Sequence, residues 1–220
     1  MWYHIVMTPD DIIFIIVLIY SIILHEIAHG YVAYREGDNT AKWAGRLTLN
    51  PLPHIDPIGS ILIPILSYIG AGAAFGWAKG VPYNPHMLRH KYSEAKVAVA
   101  GVATNFALAI IAAAIFYFTK SFNTGLGFDL LSSLINILNT FLVYVVIINI
   151  SLGIFNLMPL PPFDGMRLIA SLFPHHTKGL MQMIDRNSTI YLMISIYLAY
   201  HLFDYIAPMI SRLISSLLVL

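Results

Sequence analysis

Three stretches of the chain stay apolar for longer than a soluble core requires: Ile12 to Tyr34, Ala95 to Thr119 and Leu131 to Leu157. At about 1.5 Å of rise per residue, each is long enough to cross a hydrocarbon layer about 30 Å thick. No water is present in such a layer to satisfy a backbone N–H or C=O, so all three are predicted to be helices. A fourth stretch, Ile58 to Phe75, is also apolar but carries Pro64, Gly59, Gly70 and Gly72. That composition suits a re-entrant or broken segment, or a short strand, better than an uninterrupted span. The last stretch, Ser188 to Leu220, reads either as two short spans broken near Asp204 and Pro208 or as one long bent helix. The pattern predicts an all-α membrane protein, a polytopic helical bundle. It forms one membrane-embedded domain over residues 1–220, with a core at about 10–173 and C-terminal helices at 188–220.

The loops Arg35 to Pro57, Gly76 to Glu94 and Met158 to Asn187 hold nearly all the polar chemistry. Arg35, Lys42 and Arg46 follow the first span while Asp10 and Asp11 precede it, so the positive-inside rule places the N-terminus outside. The same two aspartates stand where a secretory signal would carry positive charge, and the first span is expected to be retained. Lys79, Arg89 and Lys91 share the cytoplasmic side only if Ile58 to Phe75 re-enters, and re-entry is the expected topology.

Composition narrows the chemistry. The 220 residues are 58% hydrophobic and 10% charged, with mean hydropathy +0.75 and a net charge of +1 without a basic run. A lipid bilayer is the implied surroundings, and nothing points to a nucleic-acid partner. The absence of cysteine excludes disulfides and thiolate ligands, so any metal must be held by His nitrogen and carboxylate oxygen.

Within the first span, His25, Glu26, Ile27, Ala28 and His29 form an H-E-x-x-H pattern. Residues four apart share a helical face, so both imidazoles can reach one tetrahedral metal while Glu26 approaches water at an open position. Each ionisable residue at the centre of a membrane helix costs roughly 2.5–3.5 kcal/mol on insertion scales, and helix stability offers nothing against three of them. His25 lies roughly 20 Å from the start of the span and roughly 13 Å from its end, so the site is sunk below the cytoplasmic face.

A third ligand must come from elsewhere in the chain. Asp164 follows Pro159, Pro161 and Pro162 and precedes Gly165, which suits presentation of a carboxylate by non-helical backbone; capping of the next helix is its ordinary alternative. His54 and Asp56 are the main rival pair for ligation, from a Pro-rich loop, with a loop cap or solvated pair as their ordinary role. Glu36 and Glu94 lie at helix ends, which favours Asp164 over them. Asn156, at the end of the third span, is either a helix cap or an amide donor to a developing oxyanion. Asn105 offers a second amide for substrate or for an interhelical hydrogen bond, and Ala98 and Gly101 on its face allow close approach to the first helix.

Taken together, HEIAHG at His25 to Gly30, AGVATN at Ala100 to Asn105 and NLMPLPPFDG at Asn156 to Gly165 resemble the site-2 protease family of intramembrane zinc metalloproteases. GRLTLNPLPHIDPIG and GWAKGVPYNP resemble its short prokaryotic branch without a PDZ domain; the likeness runs over about Ile12 to Phe173 and departs at Val102 and Phe163. The resemblance implies a three-helix catalytic core, one Zn2+ held by His25, His29 and Asp164, Glu26 as general base, and Asn156 assisting the transition state. It also implies that a membrane protein or peptide substrate adds as a strand along Gly76 to Val81. The alternatives are a membrane zinc transporter, which should offer ligands along a path through a second helix, and a non-catalytic zinc-binding protein.

Overall fold

The computed structural model describes residues 8–71, 76–120 and 129–219. Among these the chain is helical, with no β-strand. The first three long helices are α1 (Pro9–Arg35), α4 (Ser93–Lys120) and α5 (Asp129–Asn156), matching the three apolar stretches. Between α1 and α4 lie the short helices α2 (Thr40–Trp43) and α3 (Ile63–Ala71). After α5 come α6 (Asp164–Leu172), α7 (Pro174–Arg186) and α8 (Ser188–Val219).

Helix α1 starts three residues before its apolar run because its cap is polar. Thr8 and Asp11 form a reciprocal capping box ahead of Pro9, satisfying N–H groups that the first turn leaves open. Its other end is fixed by Gly37, whose φ of 111° lets the Gly37 and Asp38 N–H groups turn back to Tyr34 O and Ala33 O. Asp38, fully buried, then accepts from Thr40 N and Asn84 N and ties this turn to the loop before α4. Burial alone would push the Asp38 carboxyl up, but the hydrogen bonds from Thr40 and Asn84 outweigh it and hold it below its ordinary value.

Helices α1 and α4, and residues 130–156 of α5, are long and apolar enough to cross a membrane. Their outward faces expose Ile12, Ile16 and Ile19, then Ile110 and Phe118, then Leu134 and Ile137, a surface that hydrocarbon solvates and water does not. In lipid, packing cannot rely on hiding apolar area, so close contact carries it. Ala109, Ala112 and Ala113 of α4 meet Leu142, Val146 and Ile150 of α5 and Ile210 and Ile214 of α8 in the buried core. The fully buried Asn149 of α5 donates to Ser21 of α1 across the same bundle.

The fourth apolar stretch is a π-helical turn, Pro57–Leu62, running directly into α3. These 15 helical residues span about 22 Å, short of a full crossing. Residues 72–75, which include Gly72 and Phe75, lie outside the described residues. Beyond them the chain is back where it began: Trp77 N donates to Gly59 O at 3.0 Å, and Ser60 Oγ donates to Trp77 O. Gly59 must lack a Cβ because the Trp77 indole occupies its place. The two ends of this excursion are thus hydrogen-bonded to each other. The C-terminal stretch is a single helix, with Pro208 inside it rather than at a break; Leu220 lies outside the described residues.

Candidate metal centre

Three side chains from two distant segments meet between α1 and α4. His25 Nε2 and His29 Nε2 lie 3.0 Å apart, and each is 3.0 Å from Asp164 Oδ2. All three residues are buried. The imidazoles project from one face of α1, as the four-residue spacing dictates. Asp164 is the first residue of α6, and its carboxylate makes no cap of that helix. Gly165 explains how the turn comes so close: a Cβ there would stand 2.2 Å from Leu157 O.

The outer nitrogens decide which electrons face the centre. His29 Nδ1 donates to the Val97 carbonyl at 2.6 Å, and His25 Nδ1 donates to Asn105 Oδ1 at 2.9 Å. With Nδ1 carrying the proton on both rings, each Nε2 presents a lone pair inward. Asp164 Oδ2, also an acceptor, is buried without a hydrogen-bond partner. Three acceptors around one point repel one another unless a cation lies among them. In a tetrahedral zinc site with bonds of about 2.0–2.1 Å, neighbouring ligand atoms are about 3.3 Å apart, so edges of 3.0 Å need to open by only about 0.3 Å. A nitrogen, nitrogen, oxygen set with one direction open suits zinc.

Helix α4 makes the approach possible. A Cβ at Gly101 would lie 2.5 Å from His25 Cε1 and 2.5 Å from His29 Nε2, so only a glycine lets the two helices sit at this distance. Ala98 and Asn105, one turn to either side, are buried in the same seam.

Glu26, half-buried beside the ligand triangle, accepts the Val81 N–H on Oε2 at 2.7 Å. Segment 76–84, which has no regular secondary structure, therefore runs past the site. Gly76 packs against the excursion, where a Cβ would clash with Gly59 O and Pro64. Asn156 is the last residue of α5, and its Nδ2 donates to Leu152 O of its own helix at 2.9 Å. The rival pair lies apart from the triangle: His54 Nε2 is within 3.0 Å of Thr48 O, and Asp56 Oδ1 caps the π turn through Ile58 N and Gly59 N. Glu36 is held by Ser93 and Lys96. Two participants had no side-chain signal to read, the Val97 carbonyl and the Val81 N–H, because backbone groups exist at every position.

Known proteins resemble this chain over about three quarters of its length. "Putative zinc metalloprotease YwhC" of Bacillus subtilis is 39% identical over 168 residues, covering 76% of this chain and 72% of the relative. "Putative zinc metalloprotease Rip2" of Mycolicibacterium smegmatis is 28% identical over 166 residues, and its Mycobacterium tuberculosis counterpart 29% over 155. The chain spans 58% and 54% of those two relatives' lengths. No solved structure matches it. Residues 13–200 match the profile of Peptidase family M50, a range that holds the ligand triangle, Glu26 and Asn156. The chain therefore belongs to peptidase family M50, the site-2 protease family of membrane zinc metalloproteases.

Proposed function

We propose that this membrane zinc metalloprotease hydrolyses peptide bonds within transmembrane or membrane-anchored protein segments, with His25, His29 and Asp164 as the zinc ligands and Glu26 as general base and then general acid. The observation that carries this reading is the convergence of three buried lone pairs beside a carboxylate, at a depth in α1 that leaves no structural reason for the polar groups. Zinc held there supplies Lewis-acid polarisation of the scissile carbonyl and lowers the pKa of water. Glu26 takes the proton from the attacking water and returns it to the leaving amine. Asn105 and the Val97 carbonyl fix the two imidazole tautomers; Asn105 thus acts on the ligand rather than on the substrate. Asn156 contributes to the oxyanion once its amide turns from Leu152 O.

A peptide bond inside a substrate helix is masked by that helix's own hydrogen bonds, so the substrate unwinds before attack. Along segment 76–81, the N–H groups of Trp77, Lys79 and Val81 are engaged by Gly59 O, His54 O and Glu26. Among the described residues, the Ala78 and Gly80 N–H groups have no partner. They form the edge between Gly76 and Val81 on which an extended substrate adds as a strand. The positive-inside charge pattern supports a multi-pass topology with the site sunk below the cytoplasmic face and residues 1–220 acting as one domain.

The test is Glu26→Gln. In proteoliposomes carrying a transmembrane peptide, the variant should keep one zinc per chain and lose about 10²- to 10⁴-fold in kcat. Undiminished cleavage by that variant, or zinc flux into the vesicles without cleavage by the wild type, would refute the proposal.

A further inference from the structure

The segment beside Glu26 is gripped from its far side by a buried cation. Gly45, at φ 65°, ends α2 and turns the chain so that Arg46 N bonds back to Ala41 O and the Arg46 side chain runs inward, with 5% of the residue exposed. Arg46 Nη2 donates to the Lys79 carbonyl and, at 3.2 Å, to the Gly80 carbonyl. We infer that Arg46 is a positioning residue for Glu26, acting through the peptide group between Gly80 and Val81; this rests on the reading of Glu26 as the base.

In a planar trans peptide the C=O and N–H point in opposite directions. The unit whose C=O faces Arg46 is the same unit whose N–H, that of Val81, meets Glu26 Oε2 at 2.7 Å. Guanidinium, peptide dipole and carboxylate stand in line, and each orients the next. Among the described residues, Glu26 Oε1 has no partner, which leaves it as the oxygen free to take a proton. The height of the segment is set on α1 itself: a Cβ at Gly30 would stand 2.7 Å from Val81 Cγ1 and 2.8 Å from Leu47 Cδ2, so both side chains seat one turn beyond Glu26.

Stability alone does not account for Arg46. No carboxylate lies within ion-pair distance among the described residues, and its Nε is buried without a partner. Such burial is unfavourable for an always-charged group. What the guanidinium secures in return is the orientation of one peptide plane against the base.

The experiment compares wild type, Arg46→Met and Arg46→Lys as full-length protein in proteoliposomes on one transmembrane peptide. Arg46→Met should lower kcat about 100-fold, the loss expected of a group misplaced by about 1 Å. Zinc content and melting temperature should stay near wild type, any rise in KM from loosening of the substrate edge should be much smaller than the fall in kcat, and hydrogen exchange at the Val81 amide should quicken. Arg46→Lys, which keeps the charge but not the fork, should recover about tenfold of the lost kcat. If Arg46→Met does not fold, Arg46→Lys is read in the same way, with about tenfold lower kcat expected. A raised KM with intact kcat, loss of zinc, or wild-type kinetics in every folded variant would overturn the inference. A wild type that cleaves alongside such variants sinks this inference alone, whereas a wild type that does not cleave, or Glu26→Gln that does, sinks the protease reading.

Discussion

Gly101→Ala places a single methyl group against the metal site, and the structure allows its effect to be worked out in advance. In a helix interior the change should be favourable by about 0.5–1 kcal/mol, because alanine loses less backbone freedom than glycine. At this position the new Cβ would stand 2.5 Å from His25 Cε1, 2.5 Å from His29 Nε2 and 2.6 Å from His25 Nε2. Against an ordinary contact of 3.4 Å the shortfall is about 0.9 Å, to be met by parting α1 from α4 or tilting both rings. Overpacking of that kind costs about 1–3 kcal/mol, so the propensity gain is offset and the melting temperature should fall. Ring displacement opens a ligand triangle whose edges are 3.0 Å, and a misplacement of about 1 Å should weaken catalysis on the order of 100-fold. Zinc affinity by chelator competition and kcat on a transmembrane peptide are the measurements. Gly179→Ala in α7 is the control: nothing stands within 4 Å of its Cβ, and activity should be unchanged. Wild-type zinc affinity and turnover in Gly101→Ala would refute the claim that α4 sets the spacing of the imidazoles.

Asp164→Ala removes the only oxygen from the ligand set and should leave the protein without stoichiometric zinc, as read by metal analysis; full occupancy would move the third ligand elsewhere. Asn105→Ala removes the acceptor for His25 Nδ1 and should weaken zinc binding about 10- to 100-fold while the three ligands remain. Asp38 predicts an acid limb: its folded pKa lies below the ordinary value, so its contribution is complete above that value and is lost as pH falls through the folded one. Wild type should therefore lose more melting temperature than Asp38→Asn between pH 5 and pH 3 (about one unit either side of an ordinary carboxyl). Equal losses in the two proteins would remove Asp38 from the acid response.

The helices were legible because lipid leaves a hydrophobic chain few options. Ile12 to Tyr34 and the two later spans had to satisfy their own backbone, and the observed helices differ from them by a few residues at each end. Those differences come from caps such as Thr8 with Asp11, which act through polar atoms outside the apolar run. The C-terminal stretch was ambiguous because Pro208 can end a helix or sit inside one; α8 runs through it, and Ile210 and Ile214 just beyond it pack into the buried core. Re-entry of the fourth stretch was suggested by charge, but the bond between Trp77 N and Gly59 O joins residues whose pairing no local pattern encodes.

By itself the sequence determined that two imidazoles share one face of an apolar helix with a carboxylate next to them in the chain, since a spacing of four residues is close to the helical period of about 3.6. Asp164 was legible as a candidate, but only tertiary structure decided that its carboxylate stands 3.0 Å from both imidazoles, that Gly101 brings α4 against them, and that Val81 and Arg46 address Glu26. The reason is physical: a helix fixes directions among near neighbours in the chain, whereas distances of 3 Å between segments far apart in sequence are set by how whole helices and turns pack.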